Sequence, residues 1–328
     1  MKKKYLALGM MVLSAMVLSG CGTTKQADNK KIVIWTSAED FRIDHYLKEL
    51  KKKYPNYEII MEYMNSSAIA AKVVAEGENC TCDIICSEEY GYLDMCGDKL
   101  AVLDKFDFSP FMKEIVPASH RYTPELKNGG CVILNREVLQ KKGARVPNSY
   151  AELLKAEYKN LLSMPNPASS GTGYMFLKQF VNEWGEEKAF DYFKKFTGNV
   201  LQYTSSGSGP VKALVHGEVG VGLGMTAQAV QEIKKGAKLD IVFFKEGSPF
   251  SMYGNAVLAH KANRENVMDV FNYLSTELAK QNNTLFFPDQ IFTNYAPELE
   301  GFPKNIHYGN MMNDTRAEKE RLLKKWVF

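Results

Sequence analysis

The sequence predicts an α/β protein built as two lobes around a cleft. Three observations point there. Strand-like and helix-like segments alternate in a βαβαβ rhythm over the first hundred residues, the pattern of a parallel sheet covered on both faces. A second alternating run follows a central apolar strand at 130–135, GCVILN. And 328 residues suffice for two domains and are too many for one small core.

The first strand is Lys31–Thr36 (KIVIWT), followed by a helix over Asp40–Lys53. Pro55 and Asn56 break that helix from a second strand, 57–63, and a second helix runs over 67–76. A third strand, 83–86, leads into a short helix at 90–95. After 130–135, Pro147, Asn148 and Ser149 start a helix to about residue 155, and a segment at 160–164 precedes helices over 173–184 and 186–196. A strand at 219–224, a helix at 227–235 and a strand at 239–244 complete the second unit, and helices at 263–281 and 315–325 close the chain. Ligands of open α/β sheets bind at strand C-terminal ends, so the cleft between lobes is the expected site.

The first 20 residues are an address. Lys2, Lys3 and Lys4 precede an apolar run from Tyr5 to Leu18 that is too short for a stable membrane span. Leu18-Ser19-Gly20-Cys21 reads as a bacterial lipobox, which makes Cys21 the lipid-modified first residue of the mature chain and 21–30 a polar tether. The expected location is the outer face of the cytoplasmic membrane, or the periplasm. The chain is 45% apolar and 24% charged, the balance of a foldable protein. Its net charge of +3 comes from those three lysines, since the other 38 basic residues equal the 38 acidic ones. A neutral mature body argues against nucleic acid as a partner.

Two loops carry the chemistry. In 165–174 (PNPASSGTGY), Ser169, Ser170, Gly171, Thr172 and Gly173 open a long apolar-periodic helix. A hydroxyl cap, free backbone N–H groups and the positive end of the helix dipole suit an oxyanion, and glycines let a ligand approach. In 203–210 (YTSSGSGP), Ser205, Ser206 and Ser208 precede a helix with Pro210 at its first turn. Two such starts in one lobe can converge on one anionic group. His120 and Arg121 are placed to project into the cleft near the lobe junction. Glu88 and Glu89 sit in a strand-end loop where they can meet a cationic group.

Other signals lead elsewhere. Gly222-x-Gly224-x-x-Ala227 imitates a dinucleotide fingerprint, but Asp240 starts the next strand instead of ending it, so no cofactor is expected. Cys80, Cys82, Cys86, Cys96 and Cys131 read as buried thiols or one disulfide; the C-x-C spacing is tight for zinc and no metal site is expected. No G-x-S-x-G, S-x-x-K or H-E-x-x-H motif marks a hydrolase.

At these residues the chain resembles the extracellular solute-binding proteins of ABC importers, in the branch with ferric-iron, aminoethylphosphonate, sugar-phosphate, thiamine and polyamine binders. The likeness lies in the opening strand with its Thr36-Ser37 loop, in 71–77 (AKVVAEG) with 83–85 (DII), in the SSGTGY core of 169–174 and in 257–279. It spans essentially the whole mature chain. It implies a two-lobed, type II periplasmic-binding-protein-like fold, two Rossmann-like sheets joined by a two-segment hinge near 128–132 and 251–256. Lobe 1 is then 31–128 plus 256–328, and lobe 2 is 129–255. The family's cleft positions fall on Thr36, Ser37, Ser87, Glu88, Ser169, Ser170, Thr172, Ser205, Ser206 and Ser208. One departure matters: the adjacent tyrosines of ferric binders are replaced by Gly224-Met225-Thr226-Ala227-Gln228, which offers no phenolate pair.

The resulting expectation is a monomeric, lipid-anchored receptor, not an enzyme, that hands a small organic phosphate or phosphonate to an ABC permease. Ser170, Thr172, Ser205, Ser206 and Ser208 hold the anion; Ser37, Glu88 and His120 or Arg121 touch the remainder. Ferric iron, thiamine or a polyamine is the alternative ligand, with carboxylates from Glu88, Glu89 and Asp94 and aromatic contacts from Trp35, Tyr90 and Tyr203. An exported phosphate-ester hydrolase is the alternative of another class.

Overall fold

The computed structural model describes residues 30–328; the signal segment, Cys21 and the tether up to residue 29 lie outside the described residues. In chain order the elements begin β1 (Lys31–Thr36), α1 (Asp40–Lys53), β2 (Glu58–Tyr63), α2 (Ser66–Glu76), β3 (Ile84–Glu89) and α3 (Tyr90–Cys96). The long strand β4 (Thr123–Leu134) follows, then α4 (Arg136–Lys141), β5 (Leu162–Pro165), α5 (Gly171–Trp184), α6 (Glu186–Thr197), β6 (Val200–Thr204), α7 (Gly209–Val215), β7 (Val221–Met225), α8 (Thr226–Lys234) and β8 (Asp240–Val242). The chain ends with β9 (Phe250–Val257), α9 (Glu265–Tyr273), α10 (Ala279–Leu285) and α11 (Arg316–Lys325).

The strands run β2-β1-β3-β9-β4-β7-β5-β6, with β8 also on β4. β1 lies parallel to β2 and β3, and β5 lies parallel to β6 and β7, so each half has the expected parallel core. Alternation along β1 explains the cover on both faces. Ile32 and Ile34 point into one core with Leu50 of α1 and Phe271 of α9, and Trp35 points into the other with Ile69 and Val73 of α2. β4 repeats the device in the second half: Val132 and Leu134 meet Tyr174 and Phe176 of α5, while Cys131 and Ile133 meet Val211 and Leu214 of α7.

β4 joins the halves. Its first part, Thr123 to Gly129, pairs with β9; its second part, from Gly130, pairs with β7 and β8. The switch falls between two closely packed glycines: a Cβ on Gly129 would lie 2.8 Å from the Tyr308 hydroxyl, and one on Gly130 would lie 2.8 Å from both Met175 and Pro249, so neighbouring side chains would have to shift. The fold is thus the expected type II, two-lobed α/β architecture.

The structure differs from the sequence-based expectation in four places. β9 is one strand over 250–257, paired throughout with β3 and β4, so 250–255 lie in the lobe 1 sheet. β6 is an edge strand that the serine-rich reading of 203–208 hid. Instead of an α-helix after Ser149, Tyr150–Leu154 forms a short 3-10 turn. Finally, α11 leaves lobe 1: its Leu322, with Trp326 beyond it, packs into the core of α5 and α6, where the Trp326 and Phe193 rings stand 5.0 Å apart. The five cysteines at 80, 82, 86, 96 and 131 are all buried free thiols.

Candidate functional site

Helix starts gather at one place between the lobes. The β1–α1 turn is shaped by Thr36, whose Oγ1 accepts the Ala38 N–H at 3.0 Å. That turn presents Ser37, Glu39 and Asp40 at the mouth of α1. The β2–α2 turn presents Asn65, whose side chain caps α2 by accepting the Ala68 N–H at 2.9 Å, and Ser66. In lobe 2 the Ser170 hydroxyl caps α5 by accepting from Gly173 N at 3.4 Å. The loop from β6 to α7 brings Ser206, Gly207 and Ser208, with Pro210 in the first turn. Ser37, Glu39, Asp40, Asn65, Ser66, Ser170, Ser206, Gly207 and Ser208 line one cavity of about 210 Å³, together with Leu126, Asn128, Tyr253 and Phe287. That volume falls below the ~300–1,000 Å³ of drug-sized sites and suits a small solute.

The two lobe 2 loops face each other and are tied together. Asn166 N–H donates to Thr204 O at 2.8 Å, and the Ser169 hydroxyl donates to Ser205 O at 3.1 Å. Ser206 and Ser208 hydroxyls lie 3.1 Å apart. A Cβ on Gly207 would come within 2.4 Å of Thr172 Oγ1, so the loops touch at that glycine. Gly173 has a different role from ligand approach: a Cβ there would meet the Pro165 carbonyl at 2.4 Å, because the first turn of α5 packs on the 165–167 backbone.

Of the residues singled out from sequence, Ser37, Ser169, Ser170, Gly171, Thr172, Ser206 and Ser208 line the cavity. Ser205 contributes its carbonyl behind the wall. Thr36 and Ser87 are buried beneath it; Ser87 has a left-handed backbone (φ 56°), takes a hydrogen bond from Arg42 and donates its N–H to Asn255 at 2.8 Å. Glu88 is also below the wall. Burial raises its carboxyl to about 8, opposed by hydrogen bonds from Ser66 and the Glu89 N–H. Tyr203 points away, its hydroxyl 2.8 Å from Thr197 and its ring against Trp326.

His120 and Arg121 are not at this cavity. The His120 ring stacks on Phe108 at 4.7 Å, and Arg121 donates to the Leu100 carbonyl, because the connection before β4 runs over the outer side of lobe 1. The groups considered for a cation are engaged elsewhere: Glu89 pairs with Lys319, Asp94 accepts from Tyr122 at 2.8 Å, the Trp35 indole donates to Glu62 at 3.0 Å and Tyr90 donates to Ile115 O at 3.0 Å. Among the described residues no group of three His, Cys, Asp or Glu side chains is placed to hold a metal ion.

Sequence reasoning missed Arg42, Tyr63, Asn65, Asn128, Lys212 and Tyr253, all of which line the cavity. Arg42 is 2% exposed, with its Nε 2.7 Å from Glu39. Burial opposes its charge, but Glu39, Tyr46 and Glu125 outweigh that and raise its pKa. Lys212 of α7 reaches across to Asp40 of α1 at 3.0 Å, a bridge between lobes. Burial raises the Tyr63 hydroxyl while the nearby Ser206 side chain lowers it, which brings a second lobe 1 group to the lobe 2 loop. The four charged side chains of the cavity therefore pair off, Glu39 with Arg42 and Asp40 with Lys212. What remains without a charged partner is a set of hydroxyls and the positive ends of α2 and α5, which carry no acid in their first turns, whereas Glu39 and Asp40 already stand at the start of α1.

Relatives and solved structures share this fold or family. The chain is similar to an uncharacterized protein of Haemophilus influenzae, 27% identical over 348 residues, covering 99% of this chain and 98% of that one. It is 25% identical over 280 residues to the spermidine/putrescine-binding periplasmic protein 1 of the same organism, covering 80% and 75%. Its fold matches that of the periplasmic binding protein AfuA from Actinobacillus pleuropneumoniae, solved with fructose 6-phosphate, with a TM-score of 0.81 at 24% identity over 90% of this chain and 97% of that one. No helix among the described residues is long and apolar enough to cross a membrane. A family profile matches residues 45–311, most of the two-lobed body just described, and the chain belongs to the bacterial extracellular solute-binding proteins, the receptors of ABC importers.

Proposed function

We propose that the protein captures a small organic phosphate or phosphonate, such as a sugar phosphate or aminoethylphosphonate, in the interlobe cavity and delivers it to an ABC permease. One observation carries this reading: three helices of both lobes begin at a cavity whose charged side chains are already paired. Each helix start contributes about half a positive charge and free N–H donors. Serine and threonine hydroxyls at 170, 172, 206 and 208 add neutral donors, which favours reversible binding. The lobes meet at Gly129–Gly130 and again just ahead of Phe250. A hinge there closes the cleft when ligand touches both walls, and the exposed Asp40–Lys212 bridge adds at most about 1 kcal/mol to the closed form. The body acts as a monomer, without nucleic acid, tethered by lipid on Cys21 at the outer face of the membrane.

The polyamine names among the relatives favour a second reading, with Glu39 and Asp40 as cation ligands. Both carboxylates already face a basic partner, so a diamine would have to displace Arg42 and Lys212. Calorimetric titration of the soluble domain with aminoethylphosphonate, fructose 6-phosphate, putrescine, thiamine and ferric citrate separates the readings. Saturable binding of a phosphorus-bearing compound, with no hydrolysis of fructose 6-phosphate, is the expected outcome. Binding of putrescine, thiamine or iron alone overturns the ligand assignment, and turnover overturns the receptor role.

A further inference from the structure

The lobe 1 wall holds a charged group that the serine loops do not account for. Arg42 sits in the first turn of the 14-residue helix α1, is 2% exposed and lines the cavity. Its Nη2 donates to Ser87 Oγ, and its ring neighbours are Phe287, 5.1 Å from the guanidinium carbon, and Tyr46 at 5.9 Å. Its other nitrogens are poorly served. Nε is 2.7 Å from Glu39 Oε2 and Nη1 is 3.8 Å from Glu125, yet neither Nε nor Nη1 makes a directed hydrogen bond, and neither does that Glu39 oxygen. Glu39 is the N-cap residue of α1, but its side chain does not cap the helix; it turns toward Arg42 instead. Two guanidinium donors without directed hydrogen bonds thus lie just behind the cavity wall, at the start of α1. A buried charged donor without a hydrogen-bond partner is costly, so the arrangement is held ready for an acceptor.

Resting on the anion reading above, we propose that Arg42 is the lobe 1 grip for the ligand's phosphate or phosphonate, and that Glu39 is a built-in stand-in for it, occupying Arg42 in the empty cavity and giving way when a dianion arrives. A planar guanidinium takes two oxygens of a phosphate or phosphonate side by side, which a misdirected carboxylate does not offer. Glu39 carries one negative charge and leaves toward the mouth, where Lys212 and solvent receive it. The arrangement selects for a dianion, because a ligand carboxylate carries only the single charge of the Glu39 carboxylate it displaces. It also moderates affinity, since every binding event first breaks the Glu39–Arg42 pair. A receptor that must release its cargo gains from such a competitor.

Titration of aminoethylphosphonate and fructose 6-phosphate into the wild-type domain, Glu39→Gln and Arg42→Lys tests this. Glu39→Gln is expected to tighten binding several-fold, because the competitor loses its charge. Arg42→Lys, which keeps the positive charge, is expected to weaken binding tenfold or more, because an ammonium cannot bind two oxygens in parallel. Unchanged or weaker binding by Glu39→Gln overturns the stand-in, and unchanged binding by Arg42→Lys overturns the grip. If Arg42→Lys does not fold, Glu39→Gln decides alone by the same criterion. If the wild-type domain binds neither compound, it is the anion reading of the whole cavity that fails, and this proposal falls with it.

Discussion

Replacing Lys319 with methionine should unfold the protein at a markedly lower denaturant concentration. Lys319 of α11 and Glu89 of β3 form an ion pair with 0% and 1% side-chain exposure. The Lys319 ammonium also lies 3.9 Å from the Tyr92 ring centroid and 4.2 Å from that of Tyr174. Methionine fills nearly the same volume, so the cavity cost is small and the loss is electrostatic: Glu89 keeps its Gly91 N–H partner at 3.1 Å but has no counter-charge. Removing one member of a buried pair costs about 3–5 kcal/mol. With a urea m-value of about 3 kcal/mol/M for a chain of this size, the midpoint should fall by roughly 1–1.7 M. Far-UV circular dichroism across a urea series reads this directly. Adding Glu89→Gln to Lys319→Met should restore most of the loss, since an uncharged replacement of a buried pair is often close to neutral. A midpoint shift below about 0.3 M in the single variant would refute the reasoning. The pair matters beyond stability, because α11 packs in the lobe 2 core while Glu89 belongs to lobe 1; it is a staple between the two bodies.

Gly207→Ala puts a Cβ 2.4 Å from Thr172 Oγ1 and forces the two lobe 2 loops apart. Overpacking of this kind costs about 1–3 kcal/mol, so a phosphonate that binds the wild type should bind about tenfold more weakly by calorimetry, while unaltered affinity would show that the loops do not act together. Glu88 gives a pH signature. Its carboxyl is raised to about 8 by burial, above its ordinary value of 4.5, so between those values the folded protein keeps a proton that the unfolded chain releases. Stability should therefore fall as pH rises through that window, by a few kcal/mol in all, and level off above it. Glu88→Gln should remove that part of the slope in urea midpoints taken at pH 5, 6.5 and 8; equal slopes in both proteins would contradict the assignment.

The half of the fold that depends on local pattern was legible in the sequence. β1 has the limits read from KIVIWT, and α1 those read from the segment ahead of the Pro55 break. β9 was not legible as a sheet strand, because FSMYGNAV carries a glycine and a mixed pattern, and its partners lie more than a hundred residues away. The path of α11 was hidden for the same reason: Leu322 and Trp326 show that the helix has an apolar side, not which lobe receives it. Within the site, hydroxyl-glycine helix starts in lobe 2 were visible because cap chemistry is local. Asn65 and Ser66 carry the same signal after β2 and were open to the same reading. Arg42 was not. An arginine three residues after a glutamate on a charged helix reads as a surface pair, and only tertiary packing against Ser87, Phe287 and Glu125 buries it. His120 and Arg121 were placed by their distance along the chain from the lobe junction, and the connection into β4 carries them to the outer side instead.

Amide chemical shifts followed by 15N NMR during titration with aminoethylphosphonate address the grip itself. Downfield movement of the Gly171, Thr172, Gly207 and Ser208 N–H resonances, with Tyr203 and His120 unmoved, is the outcome required if helix starts and serine turns hold the anion. Saturable binding that leaves those four resonances in place would contradict it.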